Sequence, residues 1–196
     1  MTESELLKYI KQQYKGKQPY QTVEYKGKII FRGTQRCWLS WDNIQKLGID
    51  WSGKKVLDIG SYFGYFSTKV LGAGASKVTA FDQNDYLVGV CKTVLEGNGF
   101  QNFQTIVRKL SETETTIPDG FDVTMVLNCL HHIKKNSGSK YKEILDGLFS
   151  SAKEIVFEIN QTEVQDVDSA ARSLSRTVVA SHRPNRQILY FKKDEK

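Results

Sequence analysis

The sequence predicts an α/β fold, a seven-stranded and mostly parallel sheet with an antiparallel last strand, preceded by an N-terminal extension of helix and hairpin. Three observations carry this. From Gly53 onward, short β-rich runs alternate with helical segments, an order that requires right-handed crossovers and a sheet covered on both faces. The runs Val56-Leu57 and Val123-Thr124-Met125-Val126-Leu127 are apolar throughout or nearly so, as strands buried on both faces are. Near the end, residues 177–181 and 187–191 are separated only by His182-Arg183-Pro184-Asn185-Arg186. That link is too short for a crossover helix, so the pair forms an antiparallel hairpin at the sheet's edge.

The elements follow in order. Leu6, Leu7, Ile10 and Tyr14 recur at helical spacing and predict an amphipathic helix over residues 3–14. Residues 20–25 and 29–31 flank Lys26-Gly27-Lys28, which reads as a small hairpin outside the main sheet. Trp38, Trp41, Ile44 and Leu47 stand three residues apart and predict a second helix over 36–47. Such an aromatic stripe has two open readings. It packs into a core, or it lids a ligand mouth with Arg32, Gln35 or Arg36 reaching a carboxylate or phosphate. Beyond it, strands are predicted over 55–59, 77–81, 104–107, 121–127 and 154–159, with helices over 65–71, 85–96 and 140–151. The 196 residues hold one full α/β core and no second one, so the expected division is an extension over 1–50 and a ligand-binding domain over 51–196.

The stretch Val56 to Ser67 passes from an apolar run through Gly60 and Gly64 into a helical segment, the form of a nucleotide-binding loop. Asp82 ends the next apolar run at about the 20-residue spacing where a carboxylate accepts ribose hydroxyls. The plainer readings are an ordinary strand-to-helix turn for the glycines and a helix cap for Asp82.

The segment Asp58-Ile59-Gly60-Ser61-Tyr62-Phe63-Gly64 resembles the first motif of class I S-adenosylmethionine (SAM) dependent methyltransferases, Asp/Glu-x-Gly-x-Gly-x-Gly, with Tyr62 in place of the middle glycine. The likeness extends over roughly residues 51–191 and implies the Rossmann-like fold of that family. It also implies SAM as cofactor, held by Asp58, Gly60, Ser61, Tyr62, Gly64, Asp82, Gln83 and Asn128. Ser111 and Glu112 stand where adenine contacts commonly fall in the family, after Arg108-Lys109-Leu110. Leu47 to Gly60 following a Trp/Arg-containing helix, and then Val70 to Ala75, are similar to the branch containing the tRNA wobble-uridine carboxymethyl transferases. Those enzymes use a carboxylated SAM and carry a larger N-terminal part, so neither that cofactor nor that substrate is carried over.

Ligands of open α/β sheets sit beyond the carboxyl ends of the strands, which here follow Ile59, Phe81, Val107, Leu127 and Ile159. After the fourth comes Asn128-Cys129-Leu130-His131-His132-Ile133. A histidine there is a candidate proton acceptor from a substrate hydroxyl or nitrogen; His131 is preferred over His132, and packing beneath a following helix is the plainer reading. No metal site is expected, because no facing Asp/Glu/His trio is visible. Cys129 lacks the preceding proline of cytosine carbon methylation, and the Asn/Asp-Pro-Pro-aromatic motif of adenine methylation is missing. Arg36, Trp38 and Arg183 are the candidate substrate contacts.

The net charge of +6 and the isoelectric point near 9.1 favour anionic partners, RNA included, although scattered lysines also solubilise a surface. No apolar stretch reaches the length of a membrane span and the first residues do not form a signal peptide, so a cytoplasmic protein is expected. Three widely spaced cysteines suggest reduced thiols. The leading expectation is a methyltransferase acting as a monomer or weak homodimer on a small molecule, which is favoured over RNA because the extension is compact and aromatic. The alternative from another class is a binding module that kept the fold without catalysis.

Overall fold

A computed structural model describes residues 2–14, 17–171 and 174–193. The chain opens with α1 (Glu3–Tyr14), a separate antiparallel pair β1 (Val23–Tyr25) and β2 (Lys28–Phe31), and α2 (Cys37–Gln45). Then come β3 (Lys55–Ile59), α3 (Tyr65–Gly72), β4 (Lys77–Asp82), α4 (Asp85–Gly97), β5 (Phe103–Val107), β6 (Phe121–Leu127) and α5 (Leu130–Ser137). The chain continues with α6 (Tyr141–Ser151), β7 (Ala152–Asn160), α7 (Gln161–Ala171), β8 (Ser175–Ala180) and β9 (Arg186–Lys192).

The main sheet has seven strands in the order β5-β4-β3-β6-β7-β9-β8, and β9 runs antiparallel to both its neighbours. This is the Rossmann-like sheet with a reversed last strand that the sequence predicts. From β3 the chain builds outward through β4 and β5, then returns to add β6 and β7 on the other side. The reversal leaves a crevice between the carboxyl ends of β3 and β6, where the crossover loops diverge. Because β9 is reversed, its first residue Arg186 pairs with Asn160, the last of β7, and so lies at that same edge.

Strand periodicity divides the core. Val56, Val123, Met125 and Val156 face one layer with Trp51, Phe66 and Val70, whereas Leu57, Val126, Ile155 and Phe157 face the other with Leu130, Ile144 and Leu148. Most of these side chains are fully buried, each contributing about 1.5–3 kcal/mol. A third cluster attaches the first residues: Leu6 and Ile10 of α1 and Val23 and Tyr25 of β1 pack on Phe63 of the glycine loop and on Val90 and Val94 of α4.

Two helices go beyond the elements that periodicity predicts. In α5 only Leu130, Ile133 and Ser137 are buried. In α7 the buried residues Glu163, Val167 and Ala171 stand four apart, a helical period hidden by polar neighbours. The tryptophan stripe resolves toward packing: Trp38 and Trp41 lie against the first core layer, and the Trp41 and Trp51 ring centres are 5.8 Å apart.

Candidate active site

At the end of β3 the backbone turns sharply across its neighbours. The Gly60 and Ser61 N–H groups both donate to the Phe81 carbonyl of β4, at 2.8 and 3.1 Å. Gly60 has φ +72°, and a Cβ there would lie 2.8 Å from both Cβ and Sγ of Cys129. The loop is therefore pressed between the tips of β4 and β6 with no room for a side chain.

Tyr62 also has positive φ, 53°, although it carries a side chain. Its N–H donates to Asp82 Oδ2 at 3.2 Å. Its hydroxyl accepts the Tyr20 N–H at 3.1 Å and shares a short hydrogen bond with the Tyr14 hydroxyl. The residue that departs from the glycine motif thus ties the end of α1 and the segment before β1 to the loop. Tyr62→Phe removes both hydrogen bonds, each worth about 0.5–1.5 kcal/mol. It is expected to increase proteolytic cutting near Lys17 severalfold while the sheet keeps its far-UV signal; cutting at the wild-type rate would contradict the tie.

The crevice opens into a cavity of about 370 Å³, within the range of small-molecule sites. At one end stands Asp82, whose carboxylate also accepts the Asn84 N–H through Oδ1 at 3.1 Å. Burial raises its pKa, and lone pairs on both oxygens are left for a ligand. Gln83, Leu87, Arg108 and Leu110 line this end as well. Ser111 and Glu112 do not. Ser111 pairs with Glu114 in an isolated bridge, and the Glu112 carboxylate lies against Gly138.

At the other end, Asn128 follows β6 with φ 61°. Its amide nitrogen donates to Glu158 Oε2 at 2.6 Å, and its oxygen accepts from Nη1 of both Arg183 (2.7 Å) and Arg186 (2.6 Å). Arg183 Nη1 also donates to the Tyr20 hydroxyl at 2.7 Å. Tyr20 and Gln21 line the cavity together with these arginines.

His131 and His132 also line the cavity, their ring centres 4.0 Å apart. His131 is half-buried, with Nδ1 free of any hydrogen bond. Burial, the neighbouring His132 and the two arginines bring its pKa down to about 4, so the ring is neutral at physiological pH. His132 is exposed. Burial pushes the Cys129 thiol up, and its Sγ–H donates to the Ile59 carbonyl at 3.1 Å, which keeps it protonated and not nucleophilic. Among the described residues, no group of three or more His, Cys, Asp and Glu side chains is arranged to hold a metal ion.

Of the residues selected from sequence, the cavity thus brings together Gly60, Tyr62, Asp82, Gln83, Asn128, His131, His132 and Arg183. Five lie elsewhere. Asp58 is buried and accepts the Ser67 hydroxyl at 2.6 Å, Ser61 is buried in the loop, and Gly64 sits where a Cβ would be 2.7 Å from Cys91 of α4. Arg36 is exposed at the start of α2, and Trp38 packs on the core with the Arg32 guanidinium 5.6 Å from its ring centre. Neither of these last two lines the cavity, because Trp38 turns onto the core and Arg36 faces solvent. In their place Tyr20, Gln21 and Arg186 line the cavity. The only sequence sign of this was an arginine pair in a bend at the strand tips.

Burial raises the Asp58 carboxyl from 3.8 to about 6, the Ser67 hydrogen bond partly opposing it. A raised folded-state pKa gives stability that is full below pH 3.8 and gone once the pH has risen through 6. Asp58→Asn is expected to be more stable than the wild type above pH 7, by up to about 3 kcal/mol, with the gap narrowing toward pH 5. Urea unfolding at both pH values checks this, and a gap that does not change with pH would contradict it.

No protein-family model and no curated protein matches the chain. Solved structures do. The bifunctional kinase-methyltransferase WbdD aligns at 21% identity with a TM-score of 0.60, over 80% of this chain and 38% of its own, so this chain spans about two fifths of WbdD. Magnesium protoporphyrin IX methyltransferase (ChlM) from Synechocystis PCC 6803, solved with bound SAM, aligns at 18% identity and a TM-score of 0.60, over 81% of this chain and 76% of that one. A SAM dependent methyltransferase from Aquifex aeolicus aligns at 16% identity and 0.61, over 76% and 87%. At these identities the likeness is one of fold.

Proposed function

We propose that the chain is a SAM-dependent methyltransferase that transfers a methyl group to a small-molecule acceptor. The observation that carries the reading is the cavity at the strand-order reversal, with the buried Asp82 carboxylate at one end and the bare Gly60 backbone beside it. These residues fit the cofactor. Asp82 has lone pairs left for a ribose diol, and a side chain at position 60 has no room.

In this reading Asp82 and Gln83 hold the nucleoside, and Gly60, Tyr62 and Asn128 face the amino-acid part. Asp58, Ser61 and Gly64 support the loop from behind. The cofactor supplies an electrophilic methyl group; what remains for the protein is to align the acceptor and exclude water. Neutral His131 is placed to accept a hydrogen bond from the acceptor and to orient the atom that is methylated. With a pKa near 4 it is a weak base, so positioning outweighs proton abstraction. Tyr20 and Gln21 line the cavity, and in this reading the segment that carries them serves as a lid. A compact lid suits a small acceptor held by a monomer or weak homodimer in the cytoplasm. The likeness to the tRNA wobble-uridine branch rests on the segments around residues 47–60 and 70–75 and stands as a proposal about descent.

RNA is the second reading, favoured by the net charge of +6. The test supplies labelled SAM with separated small-molecule and RNA fractions of a cell extract. Label is expected in the small-molecule fraction. Label in RNA reverses the order of the two readings, and no label in either fraction favours a binding module.

A further inference from the structure

The far end of the cavity carries two arginines, neither of them in contact with a carboxylate among the described residues. Arg183 and Arg186 both reach Asn128 Oδ1, a neutral oxygen, at 2.7 and 2.6 Å. Among the described residues neither forms an ion pair with a carboxylate. Two buried acids act on them: Glu158, whose oxygens accept from the Asn128 amide and from the Ser181 hydroxyl at 2.7 Å, and Glu163, whose Oε2 accepts from the Asn160 N–H and amide. Tyr20, His131 and His182 are also titratable neighbours, and burial keeps both histidines toward the neutral form. Two guanidinium groups are thus held within hydrogen-bond reach of one neutral oxygen at the cavity wall, while the two carboxylates that balance their charge, Glu158 and Glu163, are buried and bonded to other groups.

An anion in the cavity would relieve the proximity of the two guanidinium groups. Two like charges repel at this distance, and burial already makes the Arg186 guanidinium less basic than usual, with Arg183 adding to the effect. Each guanidinium has five N–H donors, and most are left over after the contacts to Asn128 and Tyr20. The planar fork of arginine matches the paired oxygens of a carboxylate or phosphate. Tyr20 adds a hydroxyl whose own proton is not used by the Arg183 contact.

The topology separates the arginines from the nucleoside end. Asp82 ends β4, on one side of β3, whereas Glu158 and Arg186 belong to β7 and β9 on the other side, beyond Asn128, which follows β6. We propose that Arg183 and Arg186, with Tyr20, form an oxyanion subsite for the acceptor, so that the acceptor is a small molecule bearing a carboxylate or a phosphate group. This rests on the methyltransferase reading for the identity of the other reactant. Because Tyr20 belongs to the segment tied down by Tyr62, filling the subsite also fastens the lid.

The test uses the full chain loaded with S-adenosylhomocysteine, the demethylated cofactor product. Inorganic phosphate and acetate are titrated separately into the wild type and into Arg183→Gln, Arg186→Gln and Arg186→Lys. At least one anion is expected to bind the wild type. Each glutamine variant should weaken it about tenfold or more, and Arg186→Lys, which keeps the charge and loses the fork, by less. S-Adenosylhomocysteine affinity should stay within about twofold, which also reports that the variants are folded. If the glutamine variants do not fold, Arg186→Lys alone decides by its weakened anion binding. Phosphate binding without acetate assigns a phosphate ester, and the reverse assigns a carboxylate.

The proposal is overturned if neither anion binds, or if the variants bind it as the wild type does. It is also overturned if the variants lose S-adenosylhomocysteine yet keep methylthioadenosine, which lacks the amino-acid carboxylate, since the arginines would then serve the cofactor. Failure of the wild type to bind S-adenosylhomocysteine at all overturns the methyltransferase reading instead. Anion binding to the unloaded chain, lost in the variants, would then leave the oxyanion subsite standing.

Discussion

Gly60→Ala is expected to weaken S-adenosylhomocysteine binding by about 100-fold or more and to lower the unfolding midpoint. Two separate penalties act at this position. Left-handed backbone costs a residue with a Cβ about 1–2 kcal/mol, and φ here is +72°. The new Cβ would lie 2.8 Å from Cβ and Sγ of Cys129, an overpacking that costs about 1–3 kcal/mol. Relief requires the loop to move off the tips of β4 and β6, and the loop backbone is the cavity wall. The double variant Gly60→Ala/Cys129→Gly separates the terms, because it removes the contact and leaves the backbone penalty. Partial recovery of affinity is expected, and no recovery would show that the contact with Cys129 is immaterial.

Gly33→Ala is the second change with a large expected effect, although it lies outside the glycine motif. A Cβ at this position would fall 2.3–2.4 Å from backbone atoms of Tyr20 and Gln21, which have no rotamer to escape through. The close approach is held by hydrogen bonds from Thr34 N–H to the Pro19 carbonyl and from Gln35 N–H to the Tyr20 carbonyl, at 2.8 and 2.9 Å. Tyr20 and Gln21 must shift outward, and with them go the Arg183 contact and the bond from the Tyr65 N–H to Gln21 Oε1. A stability loss of about 1–3 kcal/mol is expected, with the main sheet intact by far-UV circular dichroism. Anion binding at the arginines should fall about tenfold, more than binding of the nucleoside end at Asp82. Equal loss at both ends would contradict a local role for the segment.

The sheet was legible in the sequence because its signals are local. An apolar run buried on both faces, a glycine turn and a carboxylate one strand later each lie within a few residues, and the short last link makes the final pair antiparallel. The crevice residues at strand ends, Gly60, Asp82, Asn128 and His131, were legible for the same reason. What escaped depends on contacts between distant segments. An aromatic stripe at helical spacing has the same period whether it faces a core or a ligand, so Trp38 and Arg36 were expected at the mouth although α2 turns its stripe inward against Trp51. Tyr20 reaches the cavity only because Gly33 lets two backbone segments touch, a relation with no periodicity. Arg186 gains its place from the antiparallel pairing of β9 with β7, which brings the first residue of one strand beside the last of the other. Asp58 carries the motif, yet its carboxylate points to Ser67 behind the cavity wall, a direction that spacing alone does not give.

Titration calorimetry of S-adenosylhomocysteine into the 196-residue chain tests the central claim most directly. One site per chain with a dissociation constant in the micromolar range, about −8 kcal/mol, is the predicted result. Asp82→Ala should weaken it by about 10- to 100-fold, since hydrogen bonds to a charged group contribute about 1.5–3 kcal/mol. Absence of any heat at millimolar ligand, or binding that Asp82→Ala leaves unchanged, would contradict a nucleoside held at the tip of β4.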